Sequence, residues 1–252
     1  MTDRPSPLPA AVRLAWWGTS WLRGHAAADH LIDAVLDQDA VHLLTFPNED
    51  PEPLVTGLGR LRAAGADALG AALPAEGDPV GLGGPGAFNS AALDAGEAVV
   101  VLDAAGFVLH GLVPDRVGAA VTWSVMVAER RQLPDVGEAD RSLRSALPEA
   151  ADALASLDVA RWRPEVADRL MDLRHRPRLV APPGVPPRCA ELAARGLQAL
   201  EIVDLALVDD GGALTALEAE SRRAALLPLG RAARRALVAA ASPEVWPPES
   251  PA

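Results

Sequence analysis

From residue 120 to 128 the side chains alternate. Val121, Trp123, Val125 and Val127 fall on one side, and Thr122, Ser124 and Met126 on the other. A period of two over that length predicts a strand with one face on a core. Upstream the period is longer. Leu14, Trp17 and Trp21 share a face of a helix over 10–22, and Ala28, Leu31, Ile32 and Val35 one side of a helix over 27–36. Gly24 between them allows an αα-hairpin. Residues 40–46 read as a buried strand, and Leu54, Leu58 and Leu61 mark a helix closed by Gly65. Residues 67–73 read as a second strand. Strand, helix and strand with short connections predict a right-handed βαβ unit.

A glycine-rich loop, a helix over 87–95 ended by Gly96, and a strand over 97–102 repeat that pattern. The tetrapeptide DAAG at 103–106 predicts a hairpin turn, with 107–113 returning as a strand. The N-terminal half is therefore expected to be a mixed sheet of about five strands with packed helices. From residue 134 onward the pattern is helical. Leu143, Leu147, Leu154 and Leu157 keep helical spacing, with Pro148 as a kink or restart. Trp162, Val166, Leu170 and Leu173 define another helix. The Pro-rich segment 176–187 is a linker within the bundle. Residues 187–208 form the longest helix, with Cys189, Leu192, Ala193, Gly196, Leu200, Val203 and Leu207 as its buried stripe. Thr215 with Glu218 forms a capping box that opens a helix to about residue 226, and Pro228 starts the last. The architecture expected is α+β: a disordered arm over 1–9, a mixed α/β sheet domain over 10–134, a helical bundle over 135–242 and a mobile tail over 243–252.

Composition narrows the chemistry. All 23 basic residues are Arg, Tyr is absent and there is one Cys. Without Lys there is no Walker A loop of the usual form, no Schiff base and no pyridoxal-phosphate anchor. One Cys excludes an intrachain disulfide and a thiolate zinc site. The formal charge of −11 argues against non-specific nucleic-acid binding, which needs a basic footprint. The acid is concentrated in residues 1–134, with 16 Asp and Glu against 8 Arg. Arg222, Arg223, Arg231, Arg234 and Arg235 form the one basic cluster. It reads as a solvated face of the bundle, or as a patch that docks on the acidic half or on an acidic partner. No apolar run approaches the ~20 residues of a bilayer span, and MTDRPSPLP has no signal pattern. A cytoplasmic protein outside the membrane is expected.

Gly81, Gly83 and Gly86 match the dinucleotide fingerprint literally, and Asp103 stands near the offset of a ribose-binding acid. The context departs from it: Pro79 precedes the first glycine where a strand should run in, and Pro85 stiffens the turn. The favoured reading is a turn-rich loop covering a sheet edge. His25 and His30 are five apart and do not stack as a metal pair would. His42 and His110 lie in strands and make a site only if those strands are neighbours. Glu201 and Asp204 sit one turn apart on the central helix, as a structural pair with an Arg or as carboxylates of raised pKa. Cys189 reads as a small buried hydrophobe. Of Trp16 and Trp17, one is expected outside the core.

The segments AFNSAALDAGEAV (87–99), LDVARWRPE (157–165) and DDGG (209–212) resemble uncharacterised conserved proteins of GC-rich actinobacteria. That resemblance implies no activity. The function expected is a non-enzymatic interaction or scaffold protein with a protein partner or as a homo-oligomer. The alternative is a nucleotide- or phosphate-binding enzyme or sensor that uses loop 81–86.

Overall fold

The alternating segment becomes β6 (Ala120–Met126). In the computed structural model, which describes residues 8–156, 179–208 and 216–247, it lies inside a six-stranded mixed sheet. The other strands are β1 (Val41–Thr45), β2 (Glu52–Pro53), β3 (Ala66–Ala72), β4 (Ala98–Asp103) and β5 (Val108–Val117). Their order is β2-β1-β6-β5-β4-β3. Only β1 and β6 run parallel, placing Leu44 beside Trp123; every other neighbouring pair is antiparallel.

The βαβ expectation is corrected here. β3 lies at the opposite edge of the sheet from β1 and antiparallel to it. The parallel partner of β1 is β6, which joins two branched or aromatic inward faces. β3 is built of small residues, ADALGAA, buried along almost its whole length. It suits an edge where other elements approach closely. The second repeat fails likewise: β3 and β4 are antiparallel neighbours, so the helix between them is no crossover.

Seven helices are described: α1 (Ala10–Leu22), α2 (Ala28–Leu36), α3 (Leu54–Ala63), α4 (Gly86–Ala95), α5 (Val136–Ser156), α6 (Pro187–Val208) and α7 (Ala216–Ala240). α1 to α3 cover the inner face of the sheet. α4 lies on the outer face, where Phe88 sits against Gly111 of β5. α5, α6 and α7 pack together, and α7 reaches β3. One apolar cluster runs from Leu44 and Trp123 through Leu14 and Trp16 to Cys189, Leu192 and Leu237. Sheet and bundle thus share a core. A smaller cluster of Phe88, Ala92, Val100, Leu102 and Val113 lies under α4.

Edge strands invite unwanted pairing unless their backbone groups are satisfied. On β3 the work is done by other elements. The Thr19 hydroxyl accepts from Leu69 N at 2.9 Å and donates to Leu69 O at 3.0 Å. Ala71 N donates to Ala241 O at 3.0 Å, and Leu73 N to Val80 O at 3.3 Å.

The expected buried stripe of α6 holds at Cys189, Leu192, Ala193 and Val203, while Leu207 is exposed. Pro228 does not start a new helix. It lies inside α7, and Pro148 lies inside α5. Pro243–Val245, expected as the start of a mobile tail, forms a 3-10 turn. The helix over 162–173, the capping box and most of the N-terminal arm fall outside the described residues. Of that arm, Leu8 is buried in the core. Trp16 is fully buried and Trp17 half-buried. The indole N–H groups of Trp16 and Trp246 both donate to Ala240 O at 3.0 Å. They satisfy a carbonyl that the end of α7 leaves without a helical partner.

Candidate functional site

Two places gather charged side chains. The first is where the glycine-rich loop meets the bundle. Arg131, just beyond β6, has a side chain only 1% exposed. Its Nη1 donates to Ala71 O at 2.8 Å and Gly81 O at 3.1 Å. Nε and Nη2 grip the Glu244 carboxylate at 3.0 and 3.2 Å, and Nη2 also donates to Ser242 Oγ at 3.1 Å. The guanidinium fork matches a carboxylate in this bidentate form. Gly70, in the middle of β3, makes room for it: a Cβ there would lie 2.0 Å from Arg131 Nη2. At the loop tip Asp78 is 2% exposed, and Arg235 and Arg234 of α7 reach its two oxygens at 3.0 and 3.3 Å. Arg231, Arg234 and Arg235 of the cluster thus dock on the acidic half, while Arg223 pairs with Glu220 on an exposed face of α7.

The fingerprint residues lie within this junction. Gly81 has φ +87° and backs onto Ala72. Gly83 faces the backbone of Glu129 and Arg130. Gly86 opens α4 with free space where a Cβ would stand. Asn89 Oδ1 accepts from Gly84 N at 3.0 Å, Glu129 N donates to Gly84 O at 2.9 Å, and the Glu129 carboxylate stands beside Gly84. Asp103 is not brought to them. β4 begins where Ala98 pairs with Ala72, near the loop, and ends where Asp103 pairs with Ala66. Five residues of extended chain separate the two ends, about 17 Å. Asp103 Oδ1 instead accepts from Ala105 N at 2.9 Å and Phe107 N at 2.8 Å, holding the hairpin turn.

The second place lies under β1 and β6. His42 Nδ1 accepts from Trp123 Nε1 at 3.0 Å. The hydrogen-bond network therefore puts the proton on Nε2, which donates to Asp39 Oδ2 at 2.9 Å. Asp39 also accepts from Arg116 Nη1 at 2.9 Å, with Arg13 Nη2 at 3.6 Å. Arg13 is buried and donates to Leu8 O and Val35 O. Glu97 lies 3.6 Å from Arg116 and accepts from Ala11 N at 2.8 Å, at the start of α1. Burial raises Asp39, but the His42 hydrogen bond and the Arg116 charge outweigh it and hold the carboxyl below its ordinary value. Burial pushes His42 below its ordinary value against the pull of Asp39, helped by Arg13 and Arg116. An Asp–His pair orients a general base elsewhere; here both imidazole nitrogens are engaged inside the core.

Protonating His42 would set a second N–H against the Trp123 indole. Below about pH 6.5 the unfolded chain binds a proton at His42 that the folded chain refuses. His42 therefore makes stability fall as pH drops from about 6.5 towards its lowered folded pKa. Urea midpoints measured from pH 7 to 5 are expected to fall in the wild type and to flatten in His42→Gln over that window. An unchanged slope in the variant would assign the pH dependence elsewhere.

His110 is not part of this centre: β6 separates its strand from β1. Burial pushes the Cys189 thiol up to about 11, against the nearby Arg188. Burial also raises Asp204, and the charge of Arg234 on α7 opposes it. Arg13, Asp39, Asp78, Arg116 and Arg131 were missed by the sequence reading. Gly70 inside a strand was the available signal, since glycine there marks a close approach.

A family model described as the Rv1486c-like protein, N-terminal domain, matches residues 11–140. One described as the Rv1486c-like protein, C-terminal domain, matches residues 137–238. "Uncharacterized protein Rv1486c" of Mycobacterium tuberculosis (strain H37Rv) is 31% identical, over 94% of this chain and 98% of its own length. "Uncharacterized protein MT1533" of Mycobacterium tuberculosis (strain CDC 1551) matches to the same extent. No solved structure matches the chain. The relatives bring no activity with them, and the resemblance to uncharacterised actinobacterial proteins holds over nearly the full length. With both halves matched in order, the chain belongs to the Rv1486c-like protein family.

Proposed function

We propose that the chain is a cytoplasmic interaction or scaffold protein that receives a basic amphipathic helix of a partner on the outer face of its sheet. The observation that carries this reading is an uncovered strip across β5, β6 and β1. The register aligns Val117, Ala120 and Val41 in one row and Asp115, Thr122 and Leu43 in the next; in the third, Ser124 and Thr45 lie beside Val113, which is buried under α4. Val117 is 71% exposed and Val41 37%. α4 shields the adjoining half of the same face, over β4 and β5. Three strands at about 4.8 Å spacing span about 10 Å, the diameter of one helix. Asp115, exposed in the middle row, and the net charge of −11 favour a basic occupant over a second acidic copy.

The test is native mass spectrometry of the wild type and of Val41→Asp/Val117→Asp, each purified gently from its own host. Both substitutions are at exposed positions, so the unfolding free energy should stay within about 0.5 kcal/mol per site. A second polypeptide carrying a basic helix, present on the wild type and lost from the variant, supports the reading. A homodimer lost from the variant replaces the helix by a second copy. A bound polypeptide retained by the variant, or a bare wild-type monomer, overturns it.

A further inference from the structure

The loop-tip junction has more cation than it uses. Arg231, Arg234 and Arg235 stand at i, i+3 and i+4 on α7, so all three face the Gly77–Asp78 turn. Both oxygens of Asp78 are taken by Arg234 and Arg235. The Arg234 charge also acts on Asp204 of α6. That leaves Arg231 with no carboxylate among the described residues. Its contact is Nη2 to Gly77 O at 3.5 Å, the long limit of a hydrogen bond. Arg231 Nε and Arg234 Nε are buried and have no acceptor. A buried donor without a partner costs about 1–3 kcal/mol, more when charged. Those two N–H groups are closed to solvent, so it is the Nη end of the half-buried Arg231 that stays open to an ion.

We propose that Arg231 and Arg234, beside Arg235 and the Gly77–Asp78 turn, bind a phosphate-type oxyanion. Adjacent guanidiniums present several N–H donors in planar forks, which suits a multi-oxygen anion better than a single neutral acceptor. Of the three guanidiniums, Arg231 is the one with no carboxylate within ion-pair distance among the described residues. Arg231 is half-buried and Arg235 exposed, so the anion can arrive from solvent. This site is distinct from the Gly81–Gly86 loop base, where Arg131 and the backbone of residues 129–130 fill the space. It is independent of the partner surface on β5, β6 and β1.

Two probes separate the sources of such an anion: inorganic phosphate, and adenosine monophosphate as an organic phosphate monoester. Each is titrated by isothermal calorimetry into the full chain at constant ionic strength, up to about 10 mM. Saturable binding of either probe is expected, weakened at least about tenfold in Arg231→Gln. Arg60→Gln removes a distant surface Arg and should change the affinity by less than about twofold. Binding of phosphate assigns a free-anion site, and binding of the monoester alone assigns an organic phosphate. If Arg231→Gln fails to fold, Arg231→Lys serves in its place: it keeps the charge, loses the fork and should bind measurably more weakly. Absence of binding by both probes overturns the proposal. So does binding that the Arg231 variants leave unchanged or that Arg60→Gln weakens equally.

Discussion

Replacing Arg131 by Ala is expected to lower the unfolding free energy by about 3–5 kcal/mol, the usual loss when one partner of a buried ion pair is removed. The arginine side chain is almost fully enclosed and joins three segments far apart in sequence: Ala71 on β3, Gly81 in the loop and Ser242–Glu244 after α7. Truncation leaves a carboxylate, two carbonyls and a void in its place. Burial lowers the pKa of Arg131 while the Glu244 charge and hydrogen bonds oppose that shift, so the pair holds the charge in place. Urea unfolding should show a lower midpoint with an unchanged slope. Glu244→Gln keeps an acceptor and sits nearer solvent, so its loss should be about 1–2 kcal/mol. A loss below about 1 kcal/mol for Arg131→Ala would mean that the shared apolar core, and not this clamp, joins the sheet to the bundle.

Gly83→Val should cost roughly 3 kcal/mol, at the upper end of what overpacking does. A Cβ at Gly83 would stand 2.4 Å from Arg130 O and 2.6 Å from Arg130 C, and backbone has little freedom to move away. Gly86→Ala is the contrast. A Cβ there meets nothing within 4 Å, and Ala favours the helix that Gly86 opens. It should be neutral or slightly stabilising, within about 1 kcal/mol. A loop whose glycines cradle a pyrophosphate should give the opposite split: Gly83→Val should lose a nucleotide while the fold survives. Parallel thermal unfolding and nucleotide titration of the two variants decide between the two outcomes. Survival of the fold in Gly83→Val together with lost nucleotide binding would restore the fingerprint reading.

How far the sequence was legible follows from what a periodicity encodes. The pattern over 120–126 specified a strand and its inward side, because side chains alternate about the strand axis whatever lies next to it. The α6 stripe was legible for the same reason, as was the DAAG hairpin, whose turn chemistry is local to Asp103. A face does not name its partner. That β1 pairs in parallel with β6, and that β3 stands at the far edge, belongs to the tertiary structure.

The candidate sites divide along the same line. Local sequence established that residues 77–86 form a glycine-rich turn region and that α7 carries an Arg cluster, since both are properties of neighbouring residues. Tertiary structure alone brought Glu244 to Arg131 across 113 positions, His42 to Trp123 across 81 and Asp78 to Arg235 across 157. Each of these contacts depends on the direction of a side chain in space and on the removal of water around it. Neither leaves a period or a spacing in the chain, so the charges could be counted from the sequence but their partners required the fold.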